Sequence, residues 1–561
     1  MKQFFLKWAH NTAARDITIL AAVVLALTIP FINQAFHWDD RDFIDQARVT
    51  VQDPLQFNFV DYQERGIYRQ TMVFRHPPLL SYYMAAFIKA GGESEALLHG
   101  AFLIFPLIAA VSMYSLGRRF TRHPIIASLL LVFTPGFLVL SHTVMGNLPG
   151  VALWLAATAL FVWGVDRDDW KLLILSGLAM TASIMIFAQA LELAAILAVY
   201  AILKWRFRLR VFAAFVIPAI AYGWWRFYIG QRYGRAPAIN YVVDFHPDSQ
   251  IRSLFVFVGG SIFFPFSAWV LYLRRKIDLL AAFALLPPLI TWVAVYYIAK
   301  GDLTLWEGIQ MAVLAVAGYC ILYGLFSSAL SEAWNLVKSR RGSIDAMFLF
   351  AWFAAVAAVY AGTTSLPYVA VRHLLPLFAP VILLFVRGID DLWPMRPRLR
   401  TSFVIVTLVL TLAAGLATSI ADYRLANSYR TIAVRMQEKY AGNPTRLWVL
   451  GEFGFRYYME KDGFEYLGVN VQASPGDIVV SSCLSSKGLV APLPAGFYTN
   501  LEQFDVEDGF PVRTMNPWAG AGFYGNSVGP LPFAFSTDKL DVISEDRLSW
   551  NTQPPREGNG G

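Results

Sequence analysis

Residues 17–36 read ITILAAVVLALTIPFINQAF and contain no charged side chain. Since an α-helix rises about 1.5 Å per residue, this stretch can cross a bilayer core of about 30 Å. An acidic run, HWDDRD at residues 37–42, follows it directly. The pattern predicts a first membrane span that presents two adjacent carboxylates, Asp39 and Asp40, at the membrane surface.

The composition extends this prediction to most of the chain. Of its 561 residues, 57% are hydrophobic and only 15% are charged, whereas soluble proteins carry about 25% charged residues. Thirteen apolar runs approach span length, although two short runs within 171–204 leave the exact count open. We therefore expect a polytopic α-helical membrane protein with about thirteen spans. The candidate spans are 17–36, 95–117, 124–141, 148–165, 171–187, 190–204, 211–229, 254–273, 277–299, 309–330, 345–361, 373–387 and 401–420.

The distribution of basic residues predicts the orientation of the chain. Lys and Arg collect in the cytoplasmic loops of membrane proteins, and here their clusters fall in every second loop, for example at 118–122, 204–210 and 338–341. We therefore expect a multi-pass protein of the plasma (inner) membrane, with a cytoplasmic amino terminus and with residues 421–561 outside the cytoplasm. The net charge of +7 serves this orientation, so the sequence gives no indication of nucleic-acid binding.

Two units are expected. Residues 1–420 form a transmembrane bundle with a long first outer loop at 37–94, and residues 421–561 form a small extracytoplasmic α/β domain. In the loop, RDFIDQARVTV predicts an amphipathic helix on the membrane surface, and the apolar PPLLSYYMAAFI predicts a second short helix. In the outer domain, RLWVLGE, GFEYLGV and GDIVVSS predict strands, and FRYYMEKDG predicts a helix.

The acidic pair is the strongest candidate for catalysis. An aspartate at the membrane surface could act as the general base that takes a proton from an acceptor hydroxyl or amine. Asp39 and Asp40 also come directly before a predicted helix, and Asp is a favoured N-cap residue. A catalytic and a structural interpretation are therefore both open for this pair.

A second group of candidates is predicted at or near the same surface. Arg75 and His76 can neutralise a phosphate, or they can anchor the chain at the interface. Arg372 is one of only two basic residues in the short outer loops, so it is interpreted as a phosphate or sugar contact, or as the partner of an acid. Gln189 and Glu192 lie within apolar sequence, and they and His373 are candidates for a substrate cavity or for structural hydrogen bonds. No spacing requires a metal or another cofactor, although outer-loop Asp and His residues could bind a divalent ion.

Taken together, these motifs resemble a known class. A first span, a surface acidic pair, the segment HPPL at residues 76–79 and the late segment VRHLLPLFAP at 371–380 resemble the lipid-phosphate-sugar glycosyltransferases of the GT-C class. Most similar are glycosyltransferase family 39, the protein O-mannosyltransferases, and the related aminoarabinose and galacturonic acid transferases that modify lipid A. The resemblance covers roughly residues 15–420 and leaves the outer domain aside.

The resemblance implies roles for individual residues. Asp39 matches the family's loop aspartate, the expected catalytic base, and Asp40 matches the next position, which is usually Glu. His76 lies where relatives place a Lys or His near the donor phosphate, and Arg372 matches their late arginine. Asn147 stands where relatives have Asp, so it remains a candidate cavity residue but cannot serve as a second acid.

The resemblance also implies an activity, the inverting transfer of a sugar from a polyprenyl-phosphate-linked donor on the outer face of the membrane. The acceptor could be a protein, a lipid or a glycan, and the sugar is not indicated. A polysaccharide polymerase or an oligosaccharide ligase would share the membrane and the class of donor. A transporter would instead need a polar site near the membrane midplane. The asparagine at position 147 leaves a noncatalytic binding protein as a further alternative.

Overall fold

The computed structural model describes residues 12–55, 77–204, 209–233, 247–261, 303–339, 343–362, 370–390, 397–468, 473–486 and 496–549. Within these ranges, seven helices are long and apolar enough to cross a membrane, and four shorter apolar helices accompany them. The prediction of a multi-spanning α-helical membrane protein is confirmed, while the count of thirteen spans stays a prediction. The seven are Thr12–Phe31, Glu95–Phe120, Asn147–Arg167, Arg210–Arg232, Leu305–Asn335, Val371–Gly388 and Pro397–Lys439.

Eighteen α-helices occur in the described ranges. They are α1 Thr12–Thr28, α2 Asp40–Gln52, α3 Leu79–Gly91, α4 Glu95–Phe102, α5 Ile104–Phe120, α6 Pro124–Phe133, α7 Pro135–Leu140, α8 Asn147–Arg167, α9 Trp170–Ile186, α10 Glu192–Leu203, α11 Leu209–Tyr233, α12 Pro247–Ser261, α13 Leu305–Ser339, α14 Ile344–Gly362, α15 Leu375–Asp390, α16 Pro397–Lys439, α17 Phe453–Lys461 and α18 Cys483–Ser486. Short 3₁₀ helices at Ile29–Phe31, Ala188–Leu191 and Val371–Leu374 extend or connect them.

Small residues allow close helix contacts in the bundle. Lipid tails are as apolar as the side chains of a membrane helix, so helices in a bilayer associate by tight packing. Gly259 of α12 faces the main chain of α13 at Leu314, and Gly318 of α13 faces the main chain of α12 at Phe255. A Cβ atom at either glycine would collide with the partner's carbonyl oxygen, so these two helices cross with their backbones in contact.

Both helices predicted in the first outer loop are present, as α2 and α3. Helix α2 packs against α3 and α17, and even its charged Arg41 is 1% exposed. The Arg41 guanidinium pairs with Glu460 of α17 at 2.6 Å. Part of the polar face of α2 therefore contacts protein, while its position at the membrane surface stays a prediction.

The carboxy-terminal unit, residues 447–549, is built on a mixed sheet of order β2-β1-β3-β7-β4. Strand β1 is parallel to β2 and β3, whereas β7 is antiparallel to β3 and β4. The predicted strands β1, β2 and β3 and the predicted helix α17 are confirmed. The strands are β1 Leu447–Leu450, β2 Glu465–Tyr466, β3 Ile478–Ser482, β4 Tyr498–Val506, β5 Met515–Asn516, β6 Ala521–Gly522 and β7 Asp541–Leu548, with β5 and β6 forming a separate two-stranded sheet.

The bundle and the carboxy-terminal unit are joined by one long helix. Helix α16 has 43 residues and continues through residue 420, where the sequence predicts a domain boundary. The hydrophobic core is also continuous across this point, since Trp38, Tyr429, Phe455 and Tyr524 belong to one buried cluster. The division at residue 420 stays a prediction about the units, but it does not coincide with the end of a helix.

Candidate functional site

Asp39 and Arg372 contact each other although 333 residues separate them in the chain. Asp39 occupies the N-cap position of α2, but its side chain accepts no capping hydrogen bond from the helix. Its carboxylate instead accepts a hydrogen bond from Arg372 Nη1. Arg372 lies in the 3₁₀ helix Val371–Leu374, and both side chains are only slightly exposed, Arg372 at 13% and Asp39 at 11%. The structure thus brings together a carboxylate and a guanidinium that the sequence predicts separately as site residues.

Asp40 has a different environment from its neighbour. Its side chain is fully buried. Oδ1 accepts a hydrogen bond from the Val144 N–H at 2.9 Å, and Oδ2 accepts one from the His37 N–H at 3.1 Å. Both carboxylate oxygens are therefore occupied by main-chain donors. These contacts join the loop before α8 to the loop before α2, and the predicted catalytic role of Asp40 stays a prediction.

A buried ionic cluster that the sequence does not indicate lies beside this pair. His37 Nε2 is 2.9 Å from Asp422 Oδ2, and His37 Nδ1 is 3.7 Å from Asp40 Oδ2. Neither approach is aligned as a hydrogen bond, so these are ion contacts. Burial opposes a charge on His37, but the carboxylates of Asp422 and Asp40 outweigh it and raise the pKa of the imidazole to about 10. His37 is therefore protonated at neutral pH.

A small cavity, part of it open to solvent, borders Arg372. Asn147 and His373, both predicted cavity residues, line it together with Arg372, whereas Glu192 is not among its lining residues. The lining residues are Asn147, Gly150, Val151, Trp154, Phe187, Gln189, Ala190, Arg372, His373 and Pro376. One guanidinium thus borders the cavity and contacts the candidate base.

Gln189, a further candidate from the sequence, also lines the cavity and lies in the 3₁₀ helix Ala188–Leu191, which separates α9 from α10. Trp154 was not predicted, because it is an ordinary apolar residue in sequence. Among the described residues, its buried Nε1–H has no hydrogen-bond partner, and neither has one buried carboxylate oxygen of Glu192.

The remaining predicted phosphate contacts, Arg75 and His76, lie outside the described residues. Their convergence on the Asp39–Arg372 site therefore stays a prediction. Within the described ranges, no group of three or more His, Cys, Asp or Glu side chains is arranged to hold a metal ion.

Residues 75–224 match the family model described as dolichyl-phosphate-mannose-protein mannosyltransferase. The resemblance to these glycosyltransferases is confirmed. The match begins one residue before the HPPL segment and includes Asn147 and Gln189 of the cavity. It does not include Asp39 or Arg372, which lie on either side of it.

Several solved structures are similar to this chain at low sequence identity. ArnT from Cupriavidus metallidurans in the apo state is 13% identical over 84% of this chain and 94% of its own, with a TM-score of 0.42. The archaeal oligosaccharyltransferase AglB from Archaeoglobus fulgidus is 12% identical over 85% of this chain and 70% of its own, with a TM-score of 0.44. Arabinofuranosyltransferase AftD from Mycobacteria is 12% identical over 96% of this chain and 40% of its own, at 0.41. No curated protein matches the sequence significantly.

Proposed function

We propose that this protein is a membrane glycosyltransferase that moves a sugar from a polyprenyl-phosphate-linked donor to an acceptor on the outer face of the membrane. The contact between Asp39 and Arg372 at the edge of a cavity carries this proposal. A general base and a phosphate-binding cation are the two groups that such a transfer needs within one substrate length of each other. The family match of residues 75–224 supports the class of reaction.

The proposed roles follow from charge. Arg372 binds the phosphate that links the sugar to the lipid, and its positive charge stabilises the negative charge that grows there as the glycosidic bond breaks. The acceptor hydroxyl or amine forms its bond to the anomeric carbon from the opposite side, and its proton passes to Asp39. Polyprenyl phosphate leaves with the bonding electron pair, so the configuration at the anomeric carbon is inverted.

The lining of the cavity offers groups that can contact a sugar. Asn147 and Gln189 each offer an amide that can donate to and accept from hydroxyl groups. Trp154 supplies an apolar ring face and a buried N–H that no other described residue uses. Amides beside an aromatic ring match the alternating hydroxyl and C–H surfaces of a pyranose or furanose. We therefore propose that the donor sugar contacts this lining, with its phosphate at Arg372.

The test is direct turnover by the purified full-length protein in lipid nanodiscs. A panel of synthetic polyprenyl-phosphate hexoses and pentoses is incubated with membrane lipid and peptide acceptors, and release of polyprenyl phosphate is measured. Asp39→Asn keeps the size of the side chain but removes the proton acceptor, so release should fall about 10²-fold or more. Asp53→Asn, at the far end of α2, is the matched control and should keep normal turnover. Equal turnover by the wild type and Asp39→Asn would contradict the role of Asp39, and no release with any donor would contradict the function.

A further inference from the structure

The residue directly before Asp39 has an unusual backbone conformation. Trp38 has a φ angle of +48°, in the left-handed region that residues with a Cβ atom rarely adopt. Its ring stacks on Phe453, with centroids 4.3 Å apart and an interplanar angle of 11°. Tyr524 is also stacked with it, at 5.6 Å and 23°. Both partners belong to the carboxy-terminal unit, so that unit holds the backbone conformation that orients Asp39.

The phenol of Tyr524 makes a second connection to the same loop. Its hydroxyl donates a hydrogen bond to Asp422 Oδ2 at 3.0 Å, and the Thr514 hydroxyl donates to Asp422 Oδ1 at 3.1 Å. Asp422 in turn contacts His37, one residue before Trp38. Tyr524, Asp422 and His37 are each about 1% exposed, so water does not compete for these contacts.

Arg372, the other member of the Asp39–Arg372 pair, is connected to Phe523, which is the residue next to Tyr524 in the carboxy-terminal unit. The Val371 N–H donates a hydrogen bond to the Phe523 carbonyl oxygen at 3.1 Å, and Val371 directly precedes Arg372. The Phe523 N–H donates in turn to the Thr514 carbonyl oxygen at 2.9 Å. Two consecutive residues, Phe523 and Tyr524, therefore support the residues that immediately precede Arg372 and Asp39.

We propose that the carboxy-terminal unit is a clamp that sets the position of Asp39 relative to Arg372, with Tyr524 as its principal positioning residue. The proposal rests on the proposed function for its catalytic consequence. Tyr524 touches neither the acid nor the guanidinium in any hydrogen bond of the described residues, so it acts through Trp38 and Asp422. Because a displacement of about 1 Å at a reacting group can lower a rate about 10²-fold, loss of the clamp should reduce turnover without removing any reacting group.

The experiment compares Tyr524→Phe and Tyr524→Ala with the wild type as full-length protein in nanodiscs. Tyr498→Phe is the matched control, because Tyr498 lies in β4 of the same unit but packs on the separate cluster around Trp448. Steady-state kinetics use the polyprenyl-phosphate sugar that the wild type turns over. Hydrogen–deuterium exchange is followed in peptides that cover residues 36–42 and 370–376.

For Tyr524→Phe, which loses only the hydroxyl, kcat should fall about 10-fold, and for Tyr524→Ala about 10²-fold. KM for the donor should stay within about twofold, and exchange should be faster in both peptides. Tyr498→Phe should match the wild type in every measurement. If Tyr524→Ala fails to fold, Tyr524→Phe decides, since it keeps the ring.

Unchanged exchange in either peptide, or normal kcat in Tyr524→Phe, would overturn the clamp. If the wild type turns over no donor, the proposed function fails, and the exchange measurement alone still decides whether the carboxy-terminal unit orders both segments.

Discussion

Two adjacent aspartates have opposite environments in this protein. Asp39 faces an arginine at the edge of a cavity, whereas both oxygens of the buried Asp40 accept main-chain hydrogen bonds. A residue used for proton transfer needs a free oxygen near the substrate, and a residue used for folding does not. We therefore propose a chemical role for Asp39 and a structural role for Asp40.

This difference predicts different phenotypes for the same substitution. Asp40→Asn replaces one accepting oxygen by an NH₂ group, so one buried main-chain donor loses its partner at a cost of about 1–3 kcal/mol. We expect Asp40→Asn to lower the unfolding midpoint of the purified protein more than Asp39→Asn does. Differential scanning fluorimetry in detergent measures both. A lower midpoint for Asp39→Asn alone would reverse the assignment.

Arg372 should depend on the shape of its guanidinium as well as on its charge. Arg372→Ala removes the positive charge opposite the donor phosphate, and turnover should fall about 10²- to 10³-fold, the usual scale for losing one electrostatic contact. Arg372→Lys should recover only part of this loss, because lysine lacks the planar fork that binds two oxygens at once.

The matched control for Arg372 is Arg424→Lys, because Arg424 forms an exposed ion pair with Asp508. This variant should turn over the donor at the normal rate. Polyprenyl-phosphate release measures all three variants. Full activity in Arg372→Ala would show that this arginine is only the partner of Asp39.

His37 should make stability depend on alkaline pH. Its pKa is 6.5 unfolded and about 10 folded, so between these values the folded state binds one proton more than the unfolded state. Stability is then complete below pH 6.5 and falls as pH rises toward 10, by at most about 1.4 kcal/mol per pH unit. Unfolding midpoints from pH 6 to 10 measure this slope.

His37→Gln should be less stable at pH 6 and should lose the slope. His123→Gln, which changes a histidine at the start of α6, should keep it. The same slope in the wild type and in His37→Gln would exclude His37 as its source.

At the scale of elements, the helices and strands that could be predicted from the sequence are those with a regular apolar pattern. Strands β1 and β3 contain LWVL and IVVSS and are almost wholly buried. Strands β4 and β7 were not predicted, because their sequences, YTNLEQFDV and DVISEDRL, contain many polar and charged residues between the apolar ones. Their partners explain this composition, since Lys439 at the end of α16 pairs with Glu502 and Glu545 of these strands. Such partners are distant in the chain and carry no local signal.

The docking of α17 on the first outer loop depends on Gly454. A Cβ atom there would collide with the Phe36 carbonyl oxygen and lie 2.7 Å from the His37 Cα. Alanine favours a helix over glycine by about 1 kcal/mol, yet we expect Gly454→Ala to lower stability by about 1–3 kcal/mol through overpacking. Gly509→Ala, where no atom of the described residues lies within 4 Å of the new Cβ, should change the unfolding midpoint little. Equal stability of the two variants would show that the first outer loop can shift to accommodate the added Cβ atom.

At the scale of the whole molecule, the basic loops predict the orientation in the membrane. A reporter that is active only outside the cytoplasm should work when it is fused after Gly442, in the turn that follows α16. A reporter that is active only in the cytoplasm should work when it is fused at residue 340. Alkaline phosphatase and green fluorescent protein fusions measure the two sides. The reverse pattern would place the Asp39 site on the cytoplasmic face and contradict the proposed function.

Only part of the candidate site could be predicted, because its supporting residues come from distant parts of the chain. Asp39 was predicted from its place after the first span, and Arg372 from its rarity in the short outer loops. The residues that support them, Asp422, Phe523 and Tyr524, come from a long helix and from a unit that the resemblance does not cover. Their roles arise from contacts between distant positions, more than 100 apart for Tyr524 and Asp422 and more than 380 apart for Asp422 and His37, which no local pattern encodes.

Helix α16 has a consequence for how this chain can vary in length. Its 43 residues make a rod of about 65 Å, of which about 20 residues suffice to cross a bilayer core. One residue inserted before Asp422 would turn everything beyond it by about 100°, carrying the carboxylate away from His37. Seven inserted residues would restore the rotational phase to within about 20° but would raise the carboxy-terminal unit by about 10 Å. Insertions and deletions among natural variants of this protein should therefore avoid the stretch between Pro397 and Asp422. They should accumulate in the loops of the protein instead.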